Sequence, residues 1–177
     1  PQTTEIQYLQ RKIGEWLGSP YRRDQITAEM YYLGFHDILR RKRTMIGKDG
    51  EKVEVTNVPN ERIVDNLYAD MVDTKNNYLL SQPVTFVTDN KDFQKELDNI
   101  INADFLRKLK NVGKGVLNCG ICYLYPYDNE SGELKFKVFA GHSILPFWKD
   151  DEHDEADMYV RYYEEEKKNS VTDEVIK

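Results

Sequence analysis

Apolar side chains return every three or four positions from Thr4 to Leu17, at Ile6, Leu9, Ile13 and Leu17, the spacing that lines one face of a helix. That helix should end near Gly18. Ser19 then offers an N-cap and Pro20 a first helical residue whose missing N–H costs nothing, which predicts a second helix running to a terminator at Gly34. Beyond it, "KDG" at 48–50 reads as a turn between two extended segments, the second alternating through Val53 and Val55, so a small hairpin or arm is expected. Asn60 is the expected cap, and Pro83 the breaker, of a third helical stretch of about five turns. A further helical region runs from Lys91 to Val116, with a break at Asn102 to Asp104. After Gly120 the texture changes to short aromatic and β-branched runs, "ICYLYPY", "LKFKVF", "SILPFW" and "MYVRYYEE", separated by turn-rich segments. Helices followed by strands, with no βαβ rhythm, give an α+β fold: N-terminal helices with a hairpin or arm, then a largely antiparallel sheet. Position 120 divides a mainly helical part, 1–119, from a mainly β part, 120–177, of one domain.

On a helical projection of residues 61–80, Ile63, Val64, Leu67, Tyr68, Met71, Val72, Tyr78 and Leu79 share one half of the circumference. Asp65, Asp70 and Asp73 fall on the other, with Asn66, Asn76 and Asn77. Ile63, Leu67, Met71 and Tyr78 are therefore expected to anchor the core. Asp70 and Asp73 are expected to face solvent or a neighbouring subunit. The competing reading makes Asp65, Asp70 and Asp73 part of a metal-binding carboxylate cluster for nuclease or nucleotidyl chemistry, which needs oxygen ligands converging from several elements.

Composition adds limits. The 177 residues are 40% hydrophobic and 32% charged, with 12 tyrosines and 7 phenylalanines, too aromatic for a disordered chain. A net charge of -6 argues against a dedicated duplex-DNA binder. No apolar run approaches the roughly 20 residues that cross a bilayer, and "PQTTEIQYLQ" has no leader pattern, so neither membrane insertion nor secretion is expected. The missing initial methionine and the alternation of Val171 and Val175 near the other end suggest a fragment.

Four motifs invite chemistry. Cys119 and Cys122 stand in C-x-x-C spacing, which raises zinc or thiol redox. The order helix, motif, strand is the reverse of a redox site, and two buried thiols at a helix-to-strand joint are the simpler reading. "KDDEHDEAD" at 149–157 lacks the EF-hand register and reads as a solvated turn between strands. "RRKR" at 40–43 places Arg40, Arg41 and Arg43 for contact with nucleic acid or an acidic partner, or simply on an arm kept soluble by charge. Finally, "NVGKGV" at 111–116 lacks the first glycine and the hydroxyl of a phosphate loop, and no other nucleotide or hydrolase signature occurs.

The ordered segments "YYLGFHDILRRKR", "VPNERIVDNLYADMVDTKNNYLLSQPVTF", "GICYLYPYDNESGELKF", "SILPFWKDD" and "YVRYYEEE" resemble the portal proteins of tailed bacteriophages, of the type found in phage SPP1 and its relatives. The stretch with Pro59, Asn60, Asn66, Asp73, Asn77, Tyr78 and Leu79 is its most specific part. The resemblance implies a structural ring subunit, usually twelve-fold, at one capsid vertex of the virion, assembled in the host bacterial cytoplasm. Double-stranded DNA enters and leaves through that ring. The large terminase subunit docks on it, head-completion, adaptor and scaffolding proteins attach to it, and no cofactor or catalytic residue is implied. These segments look like the N-terminal wing region, without stem, clip or crown.

Overall fold

Ser19 ends one helix and starts the next. The computed structural model describes residues 2–165, 167–168 and 175–176. Helix α1 spans Gln2–Leu17 and α2 spans Pro20–Tyr32; the Ser19 hydroxyl accepts from Arg22 N at 3.2 Å, and Gly34 beyond α2 takes a positive φ of 89°. A short 3-10 turn, Asp37–Arg40, leads into β1 (Thr44–Ile46) and β2 (Lys52–Glu54), an antiparallel arm whose six residues are all exposed.

Helix α3 (Leu67–Leu80), capped by Asn66, begins six residues later than a cap at Asn60 would place it. The Asn60 amide instead donates to Arg41 O at 2.9 Å, and Arg62 donates to Leu39 O at 3.1 Å, so 60–66 is held as irregular chain against the root of the arm. Asn66 is the true cap: its side-chain oxygen accepts from Ala69 N at 3.2 Å while its amide donates to Tyr32 O at 3.0 Å. One side chain thus starts α3 and ties it to the end of α2.

The buried face of α3 also differs from expectation. Val72 (6% exposed) and Asn76 (2%) point inward, whereas Ile63, Leu67, Met71 and Tyr78 are all exposed, Tyr78 to 88%. The cause lies on α5 (Ala103–Cys119), which follows α4 (Lys91–Ile100) after a break capped by Asn102, whose oxygen accepts from Asp104 N and Phe105 N. Gly113 on α5 has no side chain where α3 crosses, so the two backbones come close enough for the Asn76 amide to donate to Lys110 O at 3.1 Å. A polar hydrogen bond between helices, and not the longest apolar stripe, selects the inner face.

Gly120, at φ 75°, closes α5 in the left-handed conformation and turns the chain into β3 (Cys122–Asp128). Strand β3 pairs antiparallel with β4 (Leu134–Ala140), in register from Cys122↔Ala140 to Asp128↔Leu134. After a 3-10 turn at Gly141–Ser143, β5 (Ile144–Trp148) pairs with β6 (Ala156–Arg161), with a bulge at Phe147/Trp148. Two short strands, β7 (Lys167–Lys168) and β8 (Val175–Ile176), complete the described pairings. The fold is α+β as expected and every pairing is antiparallel, but the strands form separate two-stranded ladders instead of one sheet. Val171 lies outside the described residues.

Helix α5 is the centre of the packing, contacting α2 and α3 on one side and β3 and β4 on the other. Phe105 meets Phe136 of β4 edge-on at 5.0 Å, and Gly115 admits Cys122. The Gln25 amide of α2, 5% exposed, donates to Cys119 O at 2.7 Å. That bond satisfies one of the carbonyls a helix C-terminus leaves open.

Candidate functional site

The three aspartates of the metal reading do not converge. Asp65 precedes α3, Asp70 is exposed on its outer side, and Asp73 turns toward α2 and α5. Among the described residues no group of three or more His, Cys, Asp or Glu is placed to share an ion. Asp73, expected at solvent or a subunit interface, is instead half of a clamp inside the chain. Its Oδ1 lies 2.8 Å from Lys114 Nζ and accepts from the Tyr32 hydroxyl at 3.0 Å; Lys114 also donates to that hydroxyl at 2.8 Å. Three helices meet in this triangle.

The Lys114 hydrogen bond, with that of Tyr32 adding to it, holds the Asp73 carboxyl below its ordinary value of 3.8; the same bond from Asp73 raises Lys114 above 10.5. The depressed carboxylate contributes stability above its unfolded value and loses it as pH falls through the folded one. The raised ammonium contributes below 10.5 and loses it as pH rises further. Both groups are more than a third exposed, which limits the pair to about 1 kcal/mol. Asp73→Asn is therefore expected to destabilise by that amount at pH 7, with the gap from the parent closing below pH 3.8. Urea unfolding at pH 7 and at pH 3 measures it.

The two cysteines sit at the joint between helix and strand. The Cys119 thiol, buried, faces Gln25 O at 3.9 Å, and the Cys122 thiol faces Phe139 O at 3.3 Å. Burial pushes both thiols up, away from the thiolate that redox chemistry or metal binding requires. The acidic run forms the turn between β5 and β6, as expected.

The basic segment lies at the root of the arm. Arg40 reaches Asp37 at 4.0 Å and Lys42 pairs with Glu54 at 2.9 Å. Arg41 and Arg43 line shallow clefts, one with Pro59, Asn60 and Glu61, the other with Thr44, Val55 and Val58. Both are open to solvent, and neither brings a nucleophile or a carboxylate pair to the arginines.

Two larger surfaces were not foreseen. Leu67 and Met71 of α3 and Leu117 of α5 line an open depression of about 600 Å³. Between the β3–β4 and β5–β6 ladders lies a cleft of about 530 Å³ lined by Tyr123, Tyr125, Lys137, Phe139, Tyr159 and Arg161. The residues of the second surface alternate along their strands, a period-two signal legible in the sequence. What the sequence does not carry is how the two hairpins are set against each other.

These features define an α+β module whose clefts are open and lie at the surface. The sequence model of the family described as "Phage portal protein, SPP1 Gp6-like" matches residues 20–176, and the chain belongs to that family. It is 29% identical over 163 residues to the portal protein of Bacillus phage SPP1, covering 92% of this chain and 31% of that relative. It is 28% identical over 151 residues to the portal protein of Clostridium phage phiCD119, covering 80% of this chain and 33% of the relative. The chain thus spans about a third of the length of these relatives.

Proposed function

We propose that this chain is the wing-like domain of a phage portal subunit, a structural component of the ring through which double-stranded DNA is packaged and ejected. Family membership over residues 20–176 carries the reading. The surface supports it: Leu67, Met71, Tyr78, Leu79 and Val87 are all at least 61% exposed. Large apolar side chains left in the open mark a part built to be covered by further protein, whether the rest of the same subunit or another one.

In this reading the partners are further copies of the subunit, twelve to a ring, together with the large terminase subunit and the head-completion, adaptor and scaffolding proteins. The ring stands at the portal vertex of the virion after assembly in the host cytoplasm. Its work is mechanical and needs no cofactor. Arg40, Arg41 and Arg43 at the root of the arm are the positions for contact with nucleic acid or an acidic partner. Electron microscopy of the full-length protein is expected to show closed rings with a central channel; a strictly monomeric full-length product overturns the reading.

A further inference from the structure

The cleft between the two hairpins has an unusual chemical balance. In a chain with 31 acids and 25 bases, the residues lining it include two cations and no carboxylate. Arg161 stacks over Phe139 at 4.4 Å and over Tyr163 at 4.7 Å, and Lys137 stands 4.5 Å above Tyr127. Among the described residues neither cation has a carboxylate within ion-pair distance, so both charges are held by aromatic faces. Tyr123, Tyr125 and Tyr159 add hydroxyl donors, and burial pushes Tyr123 up to about 12, keeping its proton in place at any physiological pH. A cleft of apolar ring faces and charged donors matches a carboxylate carried on a shaped protein surface.

The same chain carries such a surface at the other end of the β5–β6 hairpin. The turn between Trp148 and Ala156 is a built knob. The Asp150 carboxylate accepts from Asp154 N and Glu155 N, both at 2.9 Å, and Lys149 N donates to Glu155 O at 2.9 Å. His153, at φ 63°, stacks on Trp148 with ring centroids 5.0 Å apart. Asp150 is occupied by those backbone bonds and Glu155 by Lys149, which leaves Asp151, Glu152 and Asp154 of the turn exposed and outside any ion pair among the described residues.

We propose that the acidic β5–β6 turn of one copy docks in the tyrosine-lined cationic cleft of the next copy around the ring. A chain cannot make this contact with itself. Arg161 pairs with Ile144 at the base of the hairpin and Ala156 with Trp148 at its tip, so four residue steps of strand, roughly 13 Å, hold the two patches apart. Two different, complementary patches on one subunit make a head-to-tail interface, the kind that repeats around a closed ring. The proposal rests on the ring reading and specifies which surface meets which.

The test uses the full-length protein. Lys137→Cys combined with Glu152→Cys is expected to give, on mild oxidation, a ladder of covalently linked subunits on a non-reducing gel, which either single variant does not give. Independently, Lys137→Glu and Glu152→Lys are each expected to raise the concentration for half-assembly roughly fivefold, with the double exchange restoring it. Wild-type rings without a ladder or charge effect overturn the docking and leave the ring reading standing. A cross-link confined to single subunits, or an effect of Lys137→Glu that Glu152→Lys neither reproduces nor rescues, also overturns it and points to an acidic segment of another protein. Absence of wild-type rings removes both readings.

Discussion

Gly113→Ala is expected to destabilise the protein by about 1–3 kcal/mol, the range for forcing an extra methyl into a packed interface, lowering its thermal midpoint by roughly 2–10 °C. A Cβ at this position would collide with the Asn76 side-chain oxygen and lie 2.9 Å from Leu80 Cδ1. Asn76 is not free to yield, because it is 2% exposed and bonded to Lys110 O. Moving it would leave the buried Asn76 amide unpaired. The same exchange at Gly14, inside α1 with nothing within 4 Å of the new methyl, should stabilise the chain by up to about 1 kcal/mol, as alanine does in an open helix. Thermal unfolding of the two variants side by side separates packing from propensity. Equal and small shifts would mean that α3 and α5 are not locked as described.

Gln25→Leu is expected to cost a further 1–3 kcal/mol by a different route, the penalty of leaving a buried acceptor without a donor. Leucine nearly keeps the volume but removes the bond to Cys119 O, one of the open carbonyls at the end of α5. A Cβ at Gly141 would lie 2.9 Å from the Gln25 amide nitrogen, so the 3-10 turn after β4 is fitted around the same side chain. Gln25→Glu sharpens the test: it keeps the shape and replaces the amide donor with an acceptor facing a carbonyl. A denaturant midpoint lower for Glu than for Leu assigns the cost to the hydrogen bond; the reverse order assigns it to packing.

The sequence announces those parts of this fold that depend on local chemistry. Ser19, Asn102 and Gly120 act on backbone groups within a turn of themselves, so the ends of α1, α2, α4 and α5 fall within a few residues of where pattern reading puts them. The inner face of α3 was not legible, because it depends on a glycine more than thirty positions away. Asn60 and Asn66 are equally good caps by type, and what separates them is tertiary: Arg41 O takes the first, while Tyr32 O and His36 hold the second. The resemblance to portal proteins was legible in the order of segments, and the family match confirms it. The cleft between the hairpins escaped notice because Lys137, Arg161 and the tyrosines come together only once two separate ladders are set against each other.

Order in the chain also sets the order of folding. Helix α5, β3 and β4 follow one another directly, and the described strand ladders all join neighbours in sequence, so the second half can assemble from short loop closures on the microsecond scale of isolated hairpins. Helix α2 is different. Gln25 awaits Cys119, and Arg22 awaits the carbonyl of His142, 120 positions on. During synthesis these groups leave the ribosome long before their partners exist, and α2, though it can meet α3 and α5 earlier, gains its last partner only when the turn at Gly141–Ser143 has emerged. A helix made early is among the last to be fully seated.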